Sequence, residues 1–161
     1  MQSLPGKTFA TAFHATCRVL TSLLQHHTKV ARNAVPSLMA CCRTLLVALV
    51  HEGRQNKGSV DSADVVLCAG DFERLVAALV QKVDLTRTAA FLVAEYVSEL
   101  QHGTLHPDVK KSLVPSVYLL LDVCGMHGSK LLGTALDPGL REIYKALHTD
   151  YSRYHKYRGK V

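Results

Sequence analysis

Apolar positions along this chain recur at gaps of three and four, the period of a helix with one buried face. Over residues 8–31 the series Phe9, Phe13, Cys17, Leu20, Leu24 and Val30 falls on one side of a helix. Pro36 opens a second helix at a position where its missing N–H costs nothing. The stripe of that helix is Leu38, Cys42, Leu45, Leu46, Leu49 and Val50. Residues 52–59 are polar with two glycines and read as an exposed loop. A third helix, capped by Asp61 or Ser62, turns Val65, Cys68, Phe72, Leu75, Val76 and Leu79 inward. Gly70 weakens that helix and is expected to divide it into two short pieces. A fourth helix begins around Thr86 and carries Ala89, Leu92, Val93, Tyr96, Val97 and Leu100, with Gly103 placed to end it in the left-handed conformation.

Beyond Gly103 the prolines set the expectation. Pro107 starts a short turn through Leu113, Pro115 begins a helix running from Val117 to Cys124, and Ser129 to Leu136 forms another short turn. Asp137-Pro138-Gly139 is a helix start, with Asp137 as cap and Pro138 in the first turn. The last helix presents Leu140, Ile143, Tyr144, Leu147, Tyr151 and Tyr154. No window alternates with period two, so no sheet is expected. The fold class is all-α, an irregular stack of antiparallel helices resembling helical repeats, of the kind that ends an α-solenoid. No exact internal repeat marks a regular array.

Composition supports one domain with a real core: 161 residues, 48% apolar and 20% charged. Runs such as 45–50 and 117–121 are too short to span a bilayer, and no membrane partner is expected. The start of the chain has Lys7 but no continuous apolar segment before a small-residue cleavage site, so no signal peptide is expected. The formal charge of +6 is unevenly distributed. Residues 1–58 carry +6, residues 59–140 carry −4 and residues 141–161 carry +4. The two basic ends either meet as one positive surface or neutralise the acidic middle.

Five cysteines, Cys17, Cys41, Cys42, Cys68 and Cys124, are odd in number and lack Cys-x-x-Cys spacing. They read as free, mostly buried thiols in a reducing compartment. Nine histidines invite a metal reading. However, His26-His27 and Cys41-Cys42 are adjacent pairs whose side chains diverge by about 100° on a helix. No zinc pattern occurs, and no Walker or dinucleotide loop is present. No cofactor, metal, small-molecule substrate or catalytic residue is therefore expected. Asp122, inside the apolar run 118–124, either faces solvent or is buried with a partner.

The strongest functional signal is the ending, Tyr151-Ser-Arg-Tyr-His-Lys-Tyr-Arg-Gly-Lys-Val161. Tyrosines at every third position interleave with cations. That pattern suits stacking on bases with neutralisation of phosphates, and equally suits a helix end docked by its tyrosines. Arg153, Lys156, Tyr157, Arg158 and Lys160 are the candidate contacts for RNA or an acidic partner. Tyr151 and Tyr154 are expected to pack inward.

Several segments, in order, resemble one family. They are Val19-Leu-Thr-Ser-Leu-Leu-Gln-His-His27, Val35-Pro36-Ser-Leu, Leu45-Leu46, Phe72-Glu-Arg-Leu75 and His106-Pro-Asp-Val-Lys110. Leu113-Val-Pro-Ser-Val-Tyr-Leu-Leu-Leu-Asp-Val-Cys124, Leu136-Asp-Pro-Gly-Leu-Arg-Glu-Ile-Tyr-Lys145 and the Tyr/Lys-rich ending complete the set. Together they resemble the C-terminal domain of the unhealthy ribosome biogenesis protein 2 family, nucleolar factors of early large-subunit assembly. On this reading residues 14–161 form a single helical domain with a basic tail at 151–161, and residues 1–13 are a poorly matched lead-in. The family's members are much longer, so the resemblance implies a C-terminal part or an incomplete gene model. It also implies a non-enzymatic helical scaffold in the nucleolus, in contact with other ribosome assembly factors and pre-ribosomal particles. The alternative is a helical protein-interaction domain that makes no contact with rRNA.

Overall fold

A computed structural model describes residues 6–54 and 62–155, and everything structural below concerns those residues. They form seven α-helices and no strand: α1 Gly6–His26, α2 Thr28–Asn33, α3 Val35–Glu52, α4 Ser62–Lys82, α5 Ala89–Leu100, α6 Pro107–Ala135 and α7 Pro138–Asp150. A single π turn, Tyr151–His155, continues α7. The all-α class expected from periodicity is what the chain adopts.

Each apolar stripe finds its partner. Leu38, Cys42, Leu45, Leu46, Leu49 and Val50 of α3 are all buried, as are Val65, Cys68, Phe72, Leu75, Val76 and Leu79 of α4. The most extensive interfaces are α4 with α6 and α1 with α4, followed by α5 with α6 and α3 with α5. With the smaller α3–α4 contact, helices α3, α4, α6 and α5 close a ring around one core. α1 packs on the flank of α4, and α7 lies against α6 and α5. By length and composition alone, the 18 residues of α3 are apolar enough to cross a membrane, with mean hydropathy 1.3. In the fold its stripe is core instead.

Several expectations about helix ends are corrected. Val30 is 57% exposed, because the chain breaks between α1 and α2 at His27 (φ −134°, ψ 48°). The break turns Ala31 inward in its place. Gly70 does not divide α4, which runs unbroken from Ser62 to Lys82. Burial of Ala69 and Phe72 beside it outweighs a penalty of about 1 kcal/mol. Gly103 is not left-handed, since Gly125 is the one described residue with positive φ. At Gly103 the lack of a side chain makes room for Arg54, whose Cδ would lie 3.0 Å from an added Cβ. That arginine reaches across to Glu99 Oε2 at 3.1 Å.

The largest correction lies in α6. Pro115 starts no helix and sits inside one. Residues Val109, Leu113, Val117, Leu120 and Leu121, buried on either side of it, hold the helix together against a cost of about 3 kcal/mol. The real break comes at Gly125 (φ 60°, ψ −165°), which joins helical residues 107–124 to helical residues 126–135. The segment expected to be a short turn from Ser129 is thus part of the second half. Just past the break, a Cβ on Gly128 would lie 2.6 Å from Cys124 Cβ, so the folded-back backbone tolerates no side chain there.

Gly125 occupies a region of backbone space that is essentially closed to residues with a Cβ. Gly125→Ala should lower stability by about 1–3 kcal/mol in urea melts. Gly133 is helical, and a Cβ there meets nothing within 4 Å. Gly133→Ala should therefore raise stability by roughly 0.5–1 kcal/mol. Equal effects of the two changes would show that the kink at Gly125 carries no backbone constraint.

Candidate functional site

The spacing 144, 148, 151, 155 places two tyrosines and two histidines on one side of α7 and its π turn. The rings follow one another at short range. Tyr144 and His148 have centroids 5.8 Å apart, His148 and Tyr151 5.7 Å, and Tyr151 and His155 5.5 Å. Tyr118 of α6 packs edge-on against Tyr151 at 5.6 Å and tilts against His155 at 5.2 Å. Pairs of this geometry contribute beyond their buried area.

One carboxylate fixes the column to α6. Tyr151 Oη donates to Asp122 Oδ1 at 2.5 Å, and His155 Nε2 donates to Asp122 Oδ2 at 2.7 Å. Tyr144 Oη donates to the Ser129 carbonyl at 3.3 Å. Burial, and then the hydrogen bond and charge of Asp122, push the Tyr151 hydroxyl well above the usual tyrosine range. Tyr151 is therefore a neutral donor at every ordinary pH. Asp122 is 44% exposed, so it is solvent-facing and partnered at once.

This anchor settles where the tail residues go. Tyr151 packs inward as expected, whereas Tyr154 does not and is 58% exposed. The wider π turn favours a four-residue step from Tyr151, which gives the inward place to His155. Arg153 is exposed, and its guanidinium carbon lies 5.9 Å from the centre of the Tyr154 ring. Lys156, Tyr157, Arg158 and Lys160 lie outside the described residues. Tyr118, His148 and His155 are the participants that the apolar pattern did not single out, whereas Asp122 stood out by its place in the run 118–124. The 4-3-4 spacing of tyrosine and histidine is the signal that points to the two histidines.

The four buried thiols fit no nucleophile. Burial is the main reason that Cys17 and Cys42 are pushed up to about 12, and Cys68 and Cys124 to about 11. The charge of Asp71 adds to the effect at Cys17 and Cys68, and Cys41 adds to it at Cys42. His14 lies one turn before Cys17, but its Nδ1 is engaged with Asp71 Oδ2 at 2.9 Å, and Asp71 also receives Arg74 at 3.3 Å. Among the described residues no three His, Cys, Asp or Glu side chains converge to hold a metal ion.

Replacing Asp122 with Ala should speed amide hydrogen exchange across residues 151–155 while leaving far-ultraviolet circular dichroism nearly unchanged. Unaltered exchange would show that ring packing alone holds the turn. A second expectation concerns pH. The four buried thiols hold their protons in the folded state to pH 11–12, against an ordinary value of 9.0. The folded state thus binds more protons than the unfolded chain between about pH 9 and 12, and stability falls as pH rises through that window. The urea midpoint at pH 10.5 should lie below that at pH 8. At pH 8 the exposed Cys41 alone should react rapidly with a thiol reagent.

No solved structure matches the chain. A family model described as the Urb2/Npa2 family matches residues 2–160. This is the family that the ordered segments and the Tyr/Lys-rich ending resemble. The match spans all seven helices, the kinked α6 and the anchored tail, and the chain accordingly belongs to the Urb2/Npa2 family of ribosome biogenesis factors.

Proposed function

We propose that the chain is a non-catalytic helical scaffold module that works in the nucleolus during early large-subunit assembly and pre-rRNA processing. It binds other assembly factors and the pre-ribosomal particle, and its C-terminal tail carries a contact with rRNA. The observation that carries this reading is the anchoring of the tail. Asp122 holds Tyr151 and His155, which leaves Arg153 and Tyr154 exposed side by side just ahead of Lys156, Tyr157, Arg158 and Lys160. A binding segment that starts from a fixed point loses less entropy on capture than one on a free chain end. The family's role in ribosome biogenesis supplies the setting. The high-pH thiols support the non-catalytic part of the reading, because a protonated buried thiol is a poor nucleophile.

Truncation after His155 combined with Arg153→Ala leaves the anchor intact and removes the cations. It should weaken co-sedimentation with pre-ribosomal particles without loss of helical signal. Changing Arg153, Lys156, Arg158 and Lys160 to Ala should reduce the slope of log affinity for single-stranded RNA against log salt by up to about three. Tyr157→Ala should cost about 1–3 kcal/mol of binding. Loss of particle association with an unchanged RNA salt slope would assign the tail to a protein contact. Undiminished association would refute the role of the tail altogether.

A further inference from the structure

We propose that the end of the molecule built by α2, the last turn of α4 and the start of α5 is a second nucleic-acid surface, where Lys29, Lys82 and Arg87 meet phosphates and Phe91 stacks on an unpaired base. The ligand class is single-stranded RNA. The surface shares no residue with the tail, and the family's role in ribosome biogenesis guides only the choice of RNA over DNA.

Three contacts assemble this surface. Arg32 Nε donates to the Lys82 carbonyl at 2.9 Å, which clamps α2 onto the end of α4 and brings Lys29, one turn earlier, to the same edge. Val83 and Leu85 are buried and pin the connection to α5. The Thr88 and Ala89 amides both donate to the Leu85 carbonyl, so the backbone already turns helically ahead of α5. Arg87 and Phe91, four residues apart, thereby share one side. Phe91 lines a groove of about 620 Å³ together with Val35 and Pro36 of α3, the helix that follows α2 directly.

The charges there are available. Lys29, Lys82 and Arg87 are exposed, and none has an ion-pair partner among the described residues. Across residues 26–36 and 81–91 the sole acid is Asp84, and Glu95, which lines the groove beside Phe91, is paired with Arg43 at 3.2 Å. The Asp84 carboxylate is engaged by Thr86, through the amide at 3.0 Å and through the hydroxyl, and Arg87 attracts it from beyond ion-pair distance. Neutralisation of helix ends explains part of this charge, since α1, α2 and α4 all finish here and cations favour such ends. It does not explain Arg87, which precedes the cap residue Thr88 of α5, where a positive charge opposes the helix dipole. Nor does it explain Phe91, which leaves 70% of its surface in water. A phosphodiester chain with unpaired bases satisfies both features, giving anions to the cations and flat rings to the phenyl face. An acidic segment without apolar side chains satisfies only the first.

The test uses the full chain, a fluorescent single-stranded RNA of mixed sequence and a poly-glutamate peptide, read by anisotropy across a salt series. The triple change Lys29→Ala, Lys82→Ala, Arg87→Ala should weaken RNA binding at least about tenfold and lower the salt slope by about two, as expected for three phosphates on a single strand. Phe91→Ala should weaken RNA binding roughly fivefold or more with the salt slope unchanged. Circular dichroism of each variant checks that these exposed positions have not altered the fold. If the triple variant binds RNA as the native chain does, the surface is overturned, and a concurrent loss in the tail variant would leave the tail reading standing. If the tail variant binds normally and the triple variant does not, the tail reading falls and this one holds. Poly-glutamate binding as tight as RNA, with no effect of Phe91→Ala, would overturn the assignment to RNA in favour of an acidic protein segment.

Discussion

The buried face of α4 is shared between neighbours on two sides, and the rest of the architecture depends on that sharing. Val65, Cys68, Ala69, Phe72, Leu75, Val76 and Leu79 are all excluded from water. No single helix covers them, so α1 and α6 both pack there and α3 adds a smaller contact. Each large side chain so buried contributes about 1.5–3 kcal/mol. That sum explains why the helices continue through Gly70 and Pro115, both poor helix formers. Where α1 crosses α4, Asp71 is nearly enclosed and is satisfied by His14 and Arg74. The polar group at that seam therefore adds alignment without leaving a buried charge alone.

Much of this was legible in residue order. The stripes of α3 and α4 were right at every position because their apolar residues repeat at helical spacing over more than three turns. The failures occurred where local signals competed with burial. Pro115 reads as a start signal only while the helix before it lacks tertiary partners; with Val109 and Leu113 buried, the helix continues through the proline. Gly125 carries the real break, and its sequence neighbours Met126 and His127 gave no periodic cue. Val30 went wrong because one non-helical residue, His27, rotates everything after it.

The candidate site was legible as a composition and not as an arrangement. The helical gaps of Tyr144, Leu147, Tyr151 and Tyr154 suggested one continuous inward stripe. A π turn and one carboxylate replace Tyr154 with His155 in that stripe, and a single-helix wheel contains neither. Asp122 looked like a choice between solvent and a buried partner. It takes both, because its two oxygens accept from the tail while its outer edge stays wet. The basic end at α2, α4 and α5 is a juxtaposition of positions 29, 82 and 87, and linear charge counts average such sets away.

The kink and the anchor constrain one another. Asp122 lies before Gly125 in the chain, while Tyr151 and His155 lie well after it, so the two hydrogen bonds close a loop across the break. The ten helical residues that follow Gly125 act as a lever about 15 Å long. A 10° change at the glycine would move the far end of that lever by about 2.6 Å, as far as either bond is long. Neither bond survives such a swing, so the direction of α7 is set from both ends: by a residue without a side chain at the pivot, and by one carboxylate at the tip.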